Sequence, residues 1–369
     1  MTSDNKRIFI TGGGTGGHIY PAVAIADYLQ NEYEVFYVGN PKNLEYDIVT
    51  KKHYKFLPVT IKGMPRKASL TIIPWCLELF KAVLKCLYYE LKYKPDIIFG
   101  TGGYVSAPSL IAAKILGKPF MMHDCDANPG LVTRKLAPFA KGISLAFEKA
   151  KEQIHNKNIH INGNPIRAEF RTLTKEQARK ELGISNKTTI CIMGGSQGAK
   201  SINSATCKLL KTLSEDYNVQ IFFQTGKKNF DEVEKELTEI YPEYITNKNI
   251  IVKPYFDNMV TVMKASDIAV SRAGSLSISE LCASGIATIF VPYPHAAADH
   301  QRKNAHVMED KKAGLYLEDS DVTPENLFRL LLELINNPQK RKDIQENALY
   351  LAKMNSTYDI AEQIKNNTK

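Results

Sequence analysis

The chain has 369 residues, of which 44% are hydrophobic and 24% charged, so it can form packed cores and is not predominantly disordered. At roughly 100–200 residues per domain, two domains are expected. The formal net charge of +9 is concentrated in the first half: residues 1–164 hold 21 Lys and Arg against 13 Asp and Glu, and residues 165–369 hold 27 against 26. This asymmetry predicts an anionic partner for the first half, either nucleic acid, a lipid surface or a phosphorylated substrate.

Targeting and metal signals are absent from the sequence. The six cysteines include no C-x-x-C pair, and the histidines do not cluster, so no zinc site is predicted and a reduced interior is expected. The polar N-terminal residues do not resemble a signal peptide, and no run of 18 apolar residues predicts a membrane span.

Short β-branched runs alternate with helical patterns along the chain, as in parallel βαβ units. Strands are predicted in the first half at residues 7–11, 34–38, 55–59, 96–99, 120–123 and 143–145. In the second half they are predicted at residues 188–193, 219–224, 250–252, 268–271, 288–291 and 315–317. This pattern predicts an α/β fold with two doubly wound Rossmann-like domains, residues 1–164 and 165–344. A C-terminal helix at about 345–369 is expected to pack back on the first domain, and Ser356 resembles an N-cap.

The first strand runs into the turn GGGTGGH at residues 12–18, which opens a helix. Glycines there allow a phosphate to approach the backbone and the helix N-terminus. A dinucleotide site also requires an acid at the end of the second strand, but that strand ends Val38-Gly39-Asn40, so NAD(P) and FAD are disfavoured and no cofactor is expected. His18 suits a general base, although histidine at a helix start usually caps or packs.

Residues 71–92 predict a long amphipathic helix. Ile72, Cys76, Phe80, Val83, Leu87 and Leu91 share one side of it, and this face is expected to pack on the sheet. The start of the helix has a different character, because cations and apolar residues occur together there, as in an interfacial membrane anchor. The predicted membrane-facing residues are Arg66, Lys67, Ile72, Ile73 and Trp75.

Two short motifs favour no specific chemistry. Asp124-Cys125-Asp126 matches the D-x-D pattern that holds a divalent cation in some sugar-nucleotide transferases, but three residues match easily by chance and no metal is expected. The loop GGSQGAKS at residues 194–201 approaches a Walker A motif, yet Ala199 stands where that motif requires glycine. NTP hydrolysis is therefore disfavoured, whereas a diphosphate could still lie on the backbone N–H groups of 196–199.

Residues 271–305 carry many hydrogen-bonding side chains at predicted strand ends, where ligands bind in open α/β sheets. Glu280, one turn beyond a serine-rich helix start, could accept two hydrogen bonds from a ribose diol. The alternative is that Glu280 is a solvated helix residue and Gln301 a surface cap. The density of polar groups favours a sugar ligand.

With these motifs in order, the sequence resembles the MurG family of bacterial peptidoglycan N-acetylglucosaminyltransferases. The resemblance covers nearly the whole chain through GGGTGGHIYPAVAIA (12–26), GTGGYVSAP (100–108), NGNPIR (162–167), GGSQGA (194–199) and residues 272–305. It implies the GT-B fold, with two Rossmann-like domains facing each other across a cleft. It also implies inverting transfer of N-acetylglucosamine from UDP-N-acetylglucosamine to undecaprenyl-pyrophosphoryl-N-acetylmuramyl-pentapeptide, without a catalytic metal, at the cytoplasmic face of the inner membrane.

The resemblance also implies site residues. The donor site would comprise Thr15, Gly16, Gly17, Asp126, Arg167, Ser196, Phe256, Ser275, Leu276, Ser277, Ile278, Ser279, Glu280 and Gln301. In this set Glu280 would hold the ribose, Phe256 would lie at the uracil and Gln301 would recognise the sugar. The acceptor would meet Gly102, Gly103 and Tyr104, with His18 as base and Asp124 as the second choice. The family usually has His-Glu-Gln-Asn where this chain has His123-Asp124-Cys125-Asp126, so an anion replaces an amide beside the donor.

Three other functions remain open. A different GT-B glycolipid glycosyltransferase would share the donor half, and a UDP-N-acetylglucosamine 2-epimerase would share the architecture but leave the basic first half unexplained. A nucleic-acid-binding protein is supported only by the net charge and lacks a recognition module, so no nucleic acid is expected. The expected partners are therefore the nucleotide sugar, the lipid-linked acceptor and an anionic membrane surface.

Overall fold

The computed structural model describes residues 6–52, 54–65, 72–195, 198–296 and 299–368. The chain forms two compact units: Met1–Arg167 with Asn355–Lys369, and Ala168–Met354. We call them the first and the second unit. The chain leaves the first unit three residues after the predicted boundary at 164 and returns about ten residues after the predicted position at 345.

Each unit contains one sheet in which every strand pairing is parallel. The first sheet has the order β3-β2-β1-β4-β5-β6-β7 and the second β10-β9-β8-β11-β12-β13. The strands are β1 (Lys6–Thr11), β2 (Tyr33–Gly39), β3 (Lys55–Pro58), β4 (Ile97–Gly100), β5 (Phe120–Asp124), β6 (Gly142–Leu145), β7 (Ile159–Ile161), β8 (Thr189–Met193), β9 (Gln220–Gln224), β10 (Ile250–Lys253), β11 (Ile268–Ser271), β12 (Ala287–Phe290) and β13 (Leu315–Tyr316). The twelve strands predicted from the sequence are all present, and β7 is additional.

Helices connect most of these strands and cover both faces of each sheet. They are α1 (Gly16–Leu29), α2 (Leu44–Thr50), α3 (Ile72–Tyr93), α4 (Ala107–Ile115), α5 (Leu131–Leu136), α6 (Glu169–Thr172), α7 (Lys175–Leu182), α8 (Lys200–Glu215), α9 (Phe230–Ile240), α10 (Met259–Ala265), α11 (Ser275–Ser284), α12 (His300–Asp310), α13 (Pro324–Asn336), α14 (Pro338–Leu351) and α15 (Ser356–Asn366). The described part of the chain contains no helix long and apolar enough to span a membrane.

Continuous apolar runs form the central strands because both faces of a parallel sheet are buried. In β1, Phe9 faces one core of the first unit, whereas Ile8 and Ile10 face the other. The second unit buries Ile190 and Ile192 of β8 in a core of its own. At about 25 cal/mol per Å² of apolar surface, such fully buried side chains each stabilise the fold by about 1.5–3 kcal/mol.

The last helix, α15, belongs to the first unit although it follows the whole second unit in sequence. Its Ile360, Ala361 and Ile364 are fully buried in the core that contains Ile8 and Ile10. Ser356 is the first residue of α15 and not its N-cap, a position that Asn355 takes. The Ser356 hydroxyl instead donates to the carbonyl oxygen of Asn164 at 2.6 Å. This bond joins the point where the chain leaves the first unit to the point where it returns.

The prediction of which side of α3 packs on the sheet is wrong. Of that face only Val83 is buried, whereas Cys76, Phe80 and Leu91 are exposed. The buried side is rotated and includes Ala82, Cys86, Tyr89 and Glu90. The reason is that α3 packs on α4 with the side that carries Glu90, and the Ser109 hydroxyl of α4 donates to the Glu90 carboxyl group at 3.4 Å. Burial raises the pKa of Glu90 to about 8, which keeps this carboxyl protonated at neutral pH.

Candidate functional site

Each sheet reverses its strand order at one point, between β1 and β4 in the first unit and between β8 and β11 in the second. The loops that leave the carboxyl ends of such a strand pair diverge to opposite faces of the sheet and leave a crevice between them. We call these positions the first and second switch points. The glycine-rich loops that begin at Gly12 and Gly194 follow β1 and β8, so each begins at a switch point.

At the first switch point the two loops touch backbone to backbone. Gly103 has φ +74°, and a Cβ atom there would lie 2.4 Å from the carbonyl oxygen of Gly13. Gly102 has φ +92°, and its Cβ would lie 3.1 Å from Nδ1 of His18. Only glycine combines these backbone angles with such close contacts. The predicted acceptor residues Gly102 and Gly103 therefore pack directly against the first glycine loop and His18.

His18 lies in the first turn of α1, and its ring contacts residues 83 and 107 positions away in sequence. Nδ1 is 3.0 Å from the backbone oxygen of Thr101 and 3.5 Å from Sγ of Cys125. A carbonyl oxygen only accepts, so this bond requires a proton on Nδ1 and leaves Nε2 as the basic nitrogen. The half-buried ring is thus oriented for proton transfer at Nε2.

Glu45, which the sequence analysis did not select, anchors the first glycine loop. This fully buried carboxylate accepts the backbone N–H of Gly14 at 3.3 Å and that of Asn40 at 3.2 Å. It also accepts from the side-chain amide of Asn43, whose Nδ2 in turn donates to the Tyr104 hydroxyl at 3.1 Å. The predicted acceptor residue Tyr104 is therefore connected to the glycine loop. The only signal for Glu45 in the sequence is an acid two residues after a capping asparagine, and this pattern is too common to identify a site residue.

The two acids of the D-x-D motif have different environments. Asp124 is buried, and its carboxylate accepts the backbone N–H groups of Asp126 at 3.2 Å and Gly130 at 3.1 Å. Burial and the nearby charge of Asp126 raise the pKa of Asp124. Asp126 is only half-buried, and the Cys125 thiol donates to its carboxylate at 3.7 Å. Within the described ranges, no three His, Cys, Asp or Glu side chains are grouped so as to hold a metal ion.

His123 forms a buried connection to the end of the first unit. Its Nδ1 is 3.1 Å from the Ser144 hydroxyl and its Nε2 is 3.0 Å from the side-chain oxygen of Asn164. Burial lowers the pKa of His123 to about 4, so the ring is neutral at physiological pH. His123 is therefore a structural residue that fixes the segment around Asn164, which the NGNPIR motif places just before Arg167.

At the second switch point the glycine loop packs against the end of β9. Gly198 has φ +78°, and a Cβ there would lie 2.0 Å from the backbone oxygen of Thr225. Ala199, where a Walker A loop would have glycine, has φ −141°, which any residue adopts. It is the N-cap of α8 and lacks a side-chain cap, so the first N–H groups of this helix are not used by Ala199 itself. Ser196, a predicted donor residue of this loop, lies outside the described residues.

The segment after β11 brings most of the remaining predicted donor residues together on α11. Gly274 is the N-cap of this helix, and Ser275 and Glu280 are buried within it, with Glu280 8% exposed. Ser277 and Ser279 are half-buried, and the Ser279 hydroxyl donates to the backbone oxygen of Ser275 at 3.1 Å. Leu276 and Ile278 belong to the same two turns. A buried carboxylate beside serine hydroxyls provides acceptors and donors suited to a sugar diol.

Gln301 and Phe256 follow other strands of the second sheet. Gln301, in α12 after β12, accepts the backbone N–H of Tyr293 at 3.0 Å. Phe256, after β10, is buried, and its backbone N–H donates to the side chain of Gln224 at 3.0 Å. Both residues thus lie at the carboxyl edge of the sheet. Gln301 follows β12 and Phe256 follows β10, and these strands lie two positions from β8 on opposite sides.

Arg272, also missed by the sequence analysis, ties this edge of the second sheet together. Its guanidinium pairs with Asp319 at 2.5 Å and donates to the backbone oxygens of Val291 at 3.3 Å and Pro292 at 3.1 Å. The Ser201 hydroxyl at the start of α8 also donates to Asp319, at 2.6 Å. One planar cation therefore connects the loops after β11 and β12 with the helix that follows the second glycine loop.

The other predicted residues are at the surface or at the unit boundary. Thr15 is the exposed N-cap of α1, whose first residues are Gly16 and Gly17. Arg167 is half-buried and is the last residue of the first unit before the second unit begins. Arg66 and Lys67 lie outside the described residues. Ile72 is half-buried, Ile73 is 63% exposed, and the Trp75 indole donates to the backbone oxygen of Lys62 at 3.0 Å.

A continuous row of apolar side chains runs along the exposed side of α3. We call this row the α3 stripe, and its members, 48–63% exposed, are Ile73, Leu77, Phe80, Leu84, Tyr88 and Leu91. Their spacing of three and four residues puts them on one helix face over about 27 Å. Exposed Lys81, Lys85 and Lys92 flank the stripe. An apolar row beside cations is typical of a surface that meets a membrane or another protein.

Comparison with known families assigns both halves of the chain. Residues 8–145 match the glycosyltransferase family 28 N-terminal domain, and residues 189–364 match the glycosyltransferase family 28 C-terminal domain. The two matches occur in the order in which the two sheets occur along the chain. They cover all the predicted site residues except Arg167.

Individual relatives match over nearly the whole chain. A protein of Desulforamulus reducens named "UDP-N-acetylglucosamine--N-acetylmuramyl-(pentapeptide) pyrophosphoryl-undecaprenol N-acetylglucosamine transferase" is 35% identical over 359 residues, 96% of each chain. A Thermoanaerobacter protein of the same name is 35% identical over 98% of this chain and 100% of its own. The crystal structure of Acinetobacter baumannii MurG superposes with a TM-score of 0.77 at 27% identity, covering 98% of this chain and 99% of that one.

Proposed function

The chain belongs to glycosyltransferase family 28, and on this premise we propose that it transfers N-acetylglucosamine from UDP-N-acetylglucosamine to undecaprenyl-pyrophosphoryl-N-acetylmuramyl-pentapeptide, a step of peptidoglycan synthesis. The resemblance to the MurG family and the GT-B fold class drawn from the sequence are both confirmed. The observation that carries the proposal is the full-length match to relatives named for this transfer.

In this reaction the acceptor hydroxyl displaces UDP from the anomeric carbon with inversion. The new C–O bond forms as the bond to the diphosphate oxygen breaks, and the hydroxyl proton goes to a base. His18 is our choice for the base because its Nδ1 is bonded to Thr101 and its Nε2 is the nitrogen that can accept. Asp124 remains the second choice, since both its carboxylate oxygens already accept backbone N–H groups.

The second unit would supply most of the side chains that bind the nucleotide sugar. Glu280 would accept hydrogen bonds from the ribose, Phe256 would lie at the uracil and Gln301 would recognise the sugar. The diphosphate would be held by Arg167, Ser196 and the backbone N–H groups of the second glycine loop, without a divalent cation. Thr15, Gly16, Gly17, Asp126 and the serines of α11 complete the proposed donor set. If a cation is not required, enzyme treated with EDTA keeps its activity; a loss restored by Mg²⁺ or Mn²⁺ would reinstate the D-x-D motif as a metal site.

The first unit would meet the lipid-linked acceptor and the membrane. Gly102, Gly103 and Tyr104 would contact the acceptor, and the α3 stripe with its lysines would lie on an anionic lipid surface at the cytoplasmic face of the inner membrane. The net charge of the first half supports this assignment, because about 1 kcal/mol of attraction per cation favours an anionic surface. With Ile73 of the stripe, Arg66, Lys67, Ile72 and Trp75 are the residues proposed from the sequence to meet the membrane.

Membrane contact is tested by sedimentation with vesicles containing phosphatidylglycerol. Replacing Leu77 and Phe80 by Ser is expected to reduce the bound fraction at least fivefold, and so is replacing Arg66 and Lys67 by Glu. UDP binding should be unchanged in both variants. The matched control replaces Ile240 and Ile245, exposed apolar residues of the second unit, by Ser. Equal losses in the control and the α3 variant would show that the stripe has no special role.

The activity itself is tested by a product assay with UDP-N-acetylglucosamine and a pyrophosphoryl-polyprenol muramyl-peptide acceptor. We expect a disaccharide lipid product and stoichiometric UDP. Transfer to diacylglycerol but not to this acceptor would identify another GT-B glycolipid glycosyltransferase, and free 2-epimerised sugar without acceptor would identify the epimerase. Both outcomes would leave the fold assignment intact.

A further inference from the structure

Thr101 contacts His18 at two places. The backbone oxygen of Thr101 accepts from Nδ1 of the His18 ring at 3.0 Å. The Thr101 hydroxyl donates to the backbone oxygen of His18 at 2.6 Å. Its own backbone N–H donates to Thr11 at the end of β1 at 2.9 Å. Thr101 is fully buried, whereas His18 is half-buried. One residue at the end of β4 thus holds both the ring and the backbone of His18.

The neighbouring groups are consistent with a single arrangement of protons. The Thr101 oxygen can only accept, so Nδ1 carries a hydrogen. The other neighbour of Nδ1, Cys125 at 3.5 Å, donates its thiol proton to Asp126 and so turns a sulfur lone pair toward the ring. This geometry leaves Nε2 with its lone pair.

We propose that Thr101 is a positioning residue that holds His18 in the tautomer protonated on Nδ1, with Nε2 available as the base. This inference rests on the proposed role of His18. When Nε2 takes the acceptor proton, the positive charge that develops on the ring is stabilised by the Thr101 oxygen, because a hydrogen bond to a charged donor is stronger than one to a neutral donor. The hydroxyl matters because it fixes the backbone of His18 and so keeps the ring within reach of that oxygen.

Thr11 offers a matched control for this role. It is a fully buried threonine at the end of the adjacent strand β1, and its hydroxyl has no hydrogen-bond partner within the described part of the chain. Replacing Thr11 by Val therefore removes a hydroxyl of equal burial without removing a bond to His18. Any general effect of a threonine-to-valine change in this sheet appears in both variants, whereas the effect on His18 is specific to Thr101.

The experiment combines kinetics with ¹⁵N NMR of histidine-labelled protein. The protein has eight histidines, and the His18→Gln variant assigns the His18 signals. In the wild type we expect Nδ1 to give the shift of a protonated nitrogen and Nε2 that of an unprotonated one. Thr101→Val should add the opposite tautomer and lower kcat about tenfold, the equivalent of one hydrogen bond, with KM for the nucleotide sugar unchanged. Thr101→Ser should show the wild-type tautomer and the wild-type kcat, and Thr11→Val should change neither the tautomer nor kcat.

Two results would overturn the inference. One is a wild-type His18 that is protonated on Nε2, a result that needs only the signal assignment and no measurement of activity. The other is a Thr101→Val enzyme whose tautomer and kcat equal those of Thr11→Val. If instead His18→Ala keeps full turnover, the role of His18 as base fails, while the NMR result still decides whether Thr101 sets the tautomer.

Discussion

The two switch points occupy the same position in two sheets that share one order over six strands, but different groups lie at them. At the first, glycines pack against backbone carbonyls, and one histidine is held by a buried threonine. At the second, a glycine loop follows β8, and the helix after the neighbouring strand β11 carries three serines and a buried glutamate in its first two turns. The first arrangement fixes one titratable ring, whereas the second presents several hydrogen-bonding groups.

This difference indicates how one topology can serve two tasks. A group that transfers a proton must be held in one orientation, and close backbone packing does this because glycine contacts leave no room to shift. A site that binds a polyhydroxylated ligand needs many donors and acceptors, which side chains at a helix start provide. Substitutions at the first switch point should therefore change turnover, and substitutions at the second should change binding.

The sharpest test is His18→Ala. Loss of a general base is expected to lower kcat by about 100-fold or more, while UDP affinity measured by calorimetry stays within twofold. A reduction in kcat below tenfold would assign the base to another residue and remove the distinction between the two switch points.

The packing of the first switch point is tested by glycine substitutions. Gly103→Ala should lower the free energy of unfolding by about 2 kcal/mol more than Gly117→Ala. Both glycines have positive φ, but a Cβ at Gly103 meets the Gly13 oxygen, whereas none of the described atoms lies within 4 Å at Gly117. Gly198→Ala against Gly183→Ala is the corresponding pair in the second unit. Equal losses of unfolding free energy within either pair, measured by urea unfolding, would show that close packing does not explain the glycine at that position.

Donor binding is tested by Glu280→Gln. We expect the Kd for UDP to rise about tenfold, because a charged acceptor of the ribose becomes a neutral amide. The kcat at saturating donor should change less than threefold. Glu239→Gln, on the exposed side of α9, is the control. If kcat falls and Kd does not, Glu280 acts in the reaction step and the assignment of binding to the second unit fails.

A smaller effect concerns pH and the first unit alone. The pKa of Glu90 is raised to about 8, so the folded state keeps a proton that the unfolded chain loses near its ordinary value of 4.5. Stability should therefore fall as pH rises from about 4.5 to 8, by about 1 kcal/mol between pH 6.5 and 7.5. His123 has the opposite effect, because its lowered pKa makes stability rise with pH, mostly between about 4 and 6.5, and by only about 0.3 kcal/mol from pH 6.5 to 7.5.

Trp75 is the single tryptophan and lies on the same helix as Glu90, so its fluorescence reports on unfolding of the first unit. Glu90→Gln should remove the fall in the free energy of unfolding between pH 6.5 and 7.5. A fall of the same size in that variant would exclude Glu90 as its source.

Much of the fold could be predicted because strands and glycine turns are local signals. The alternation of β-branched and helical segments identified twelve of the thirteen strands, and the strand–glycine–helix repeat identified both glycine loops. β7 escaped because it has only three residues, all half-buried. The orientation of α3 also escaped, because both of its sides are largely apolar and the hydrophobic periodicity does not show which side packs on α4.

The supporting residues of the site could not be predicted. Thr101 and Glu45 act through bonds to residues 83 and 31 positions away, and nothing in their local sequence shows that these segments meet. The strand order explains the contact: β4 pairs with β1, which brings residues 101–103 to the loop that follows β1. His18 and Glu280 could be predicted as site residues because they lie inside recognisable motifs.

The return of α15 to the first unit also determines the order in which the protein can be completed during synthesis. Ile360, Ala361 and Ile364 fill the core beside β1, yet the ribosome makes them after all of the second unit. Until then the apolar face formed by Ile8 and Ile10 has no cover from α15. The first unit is therefore translated first but finishes folding last. While only the second unit is complete, the nascent chain exposes an apolar surface to which chaperones can bind.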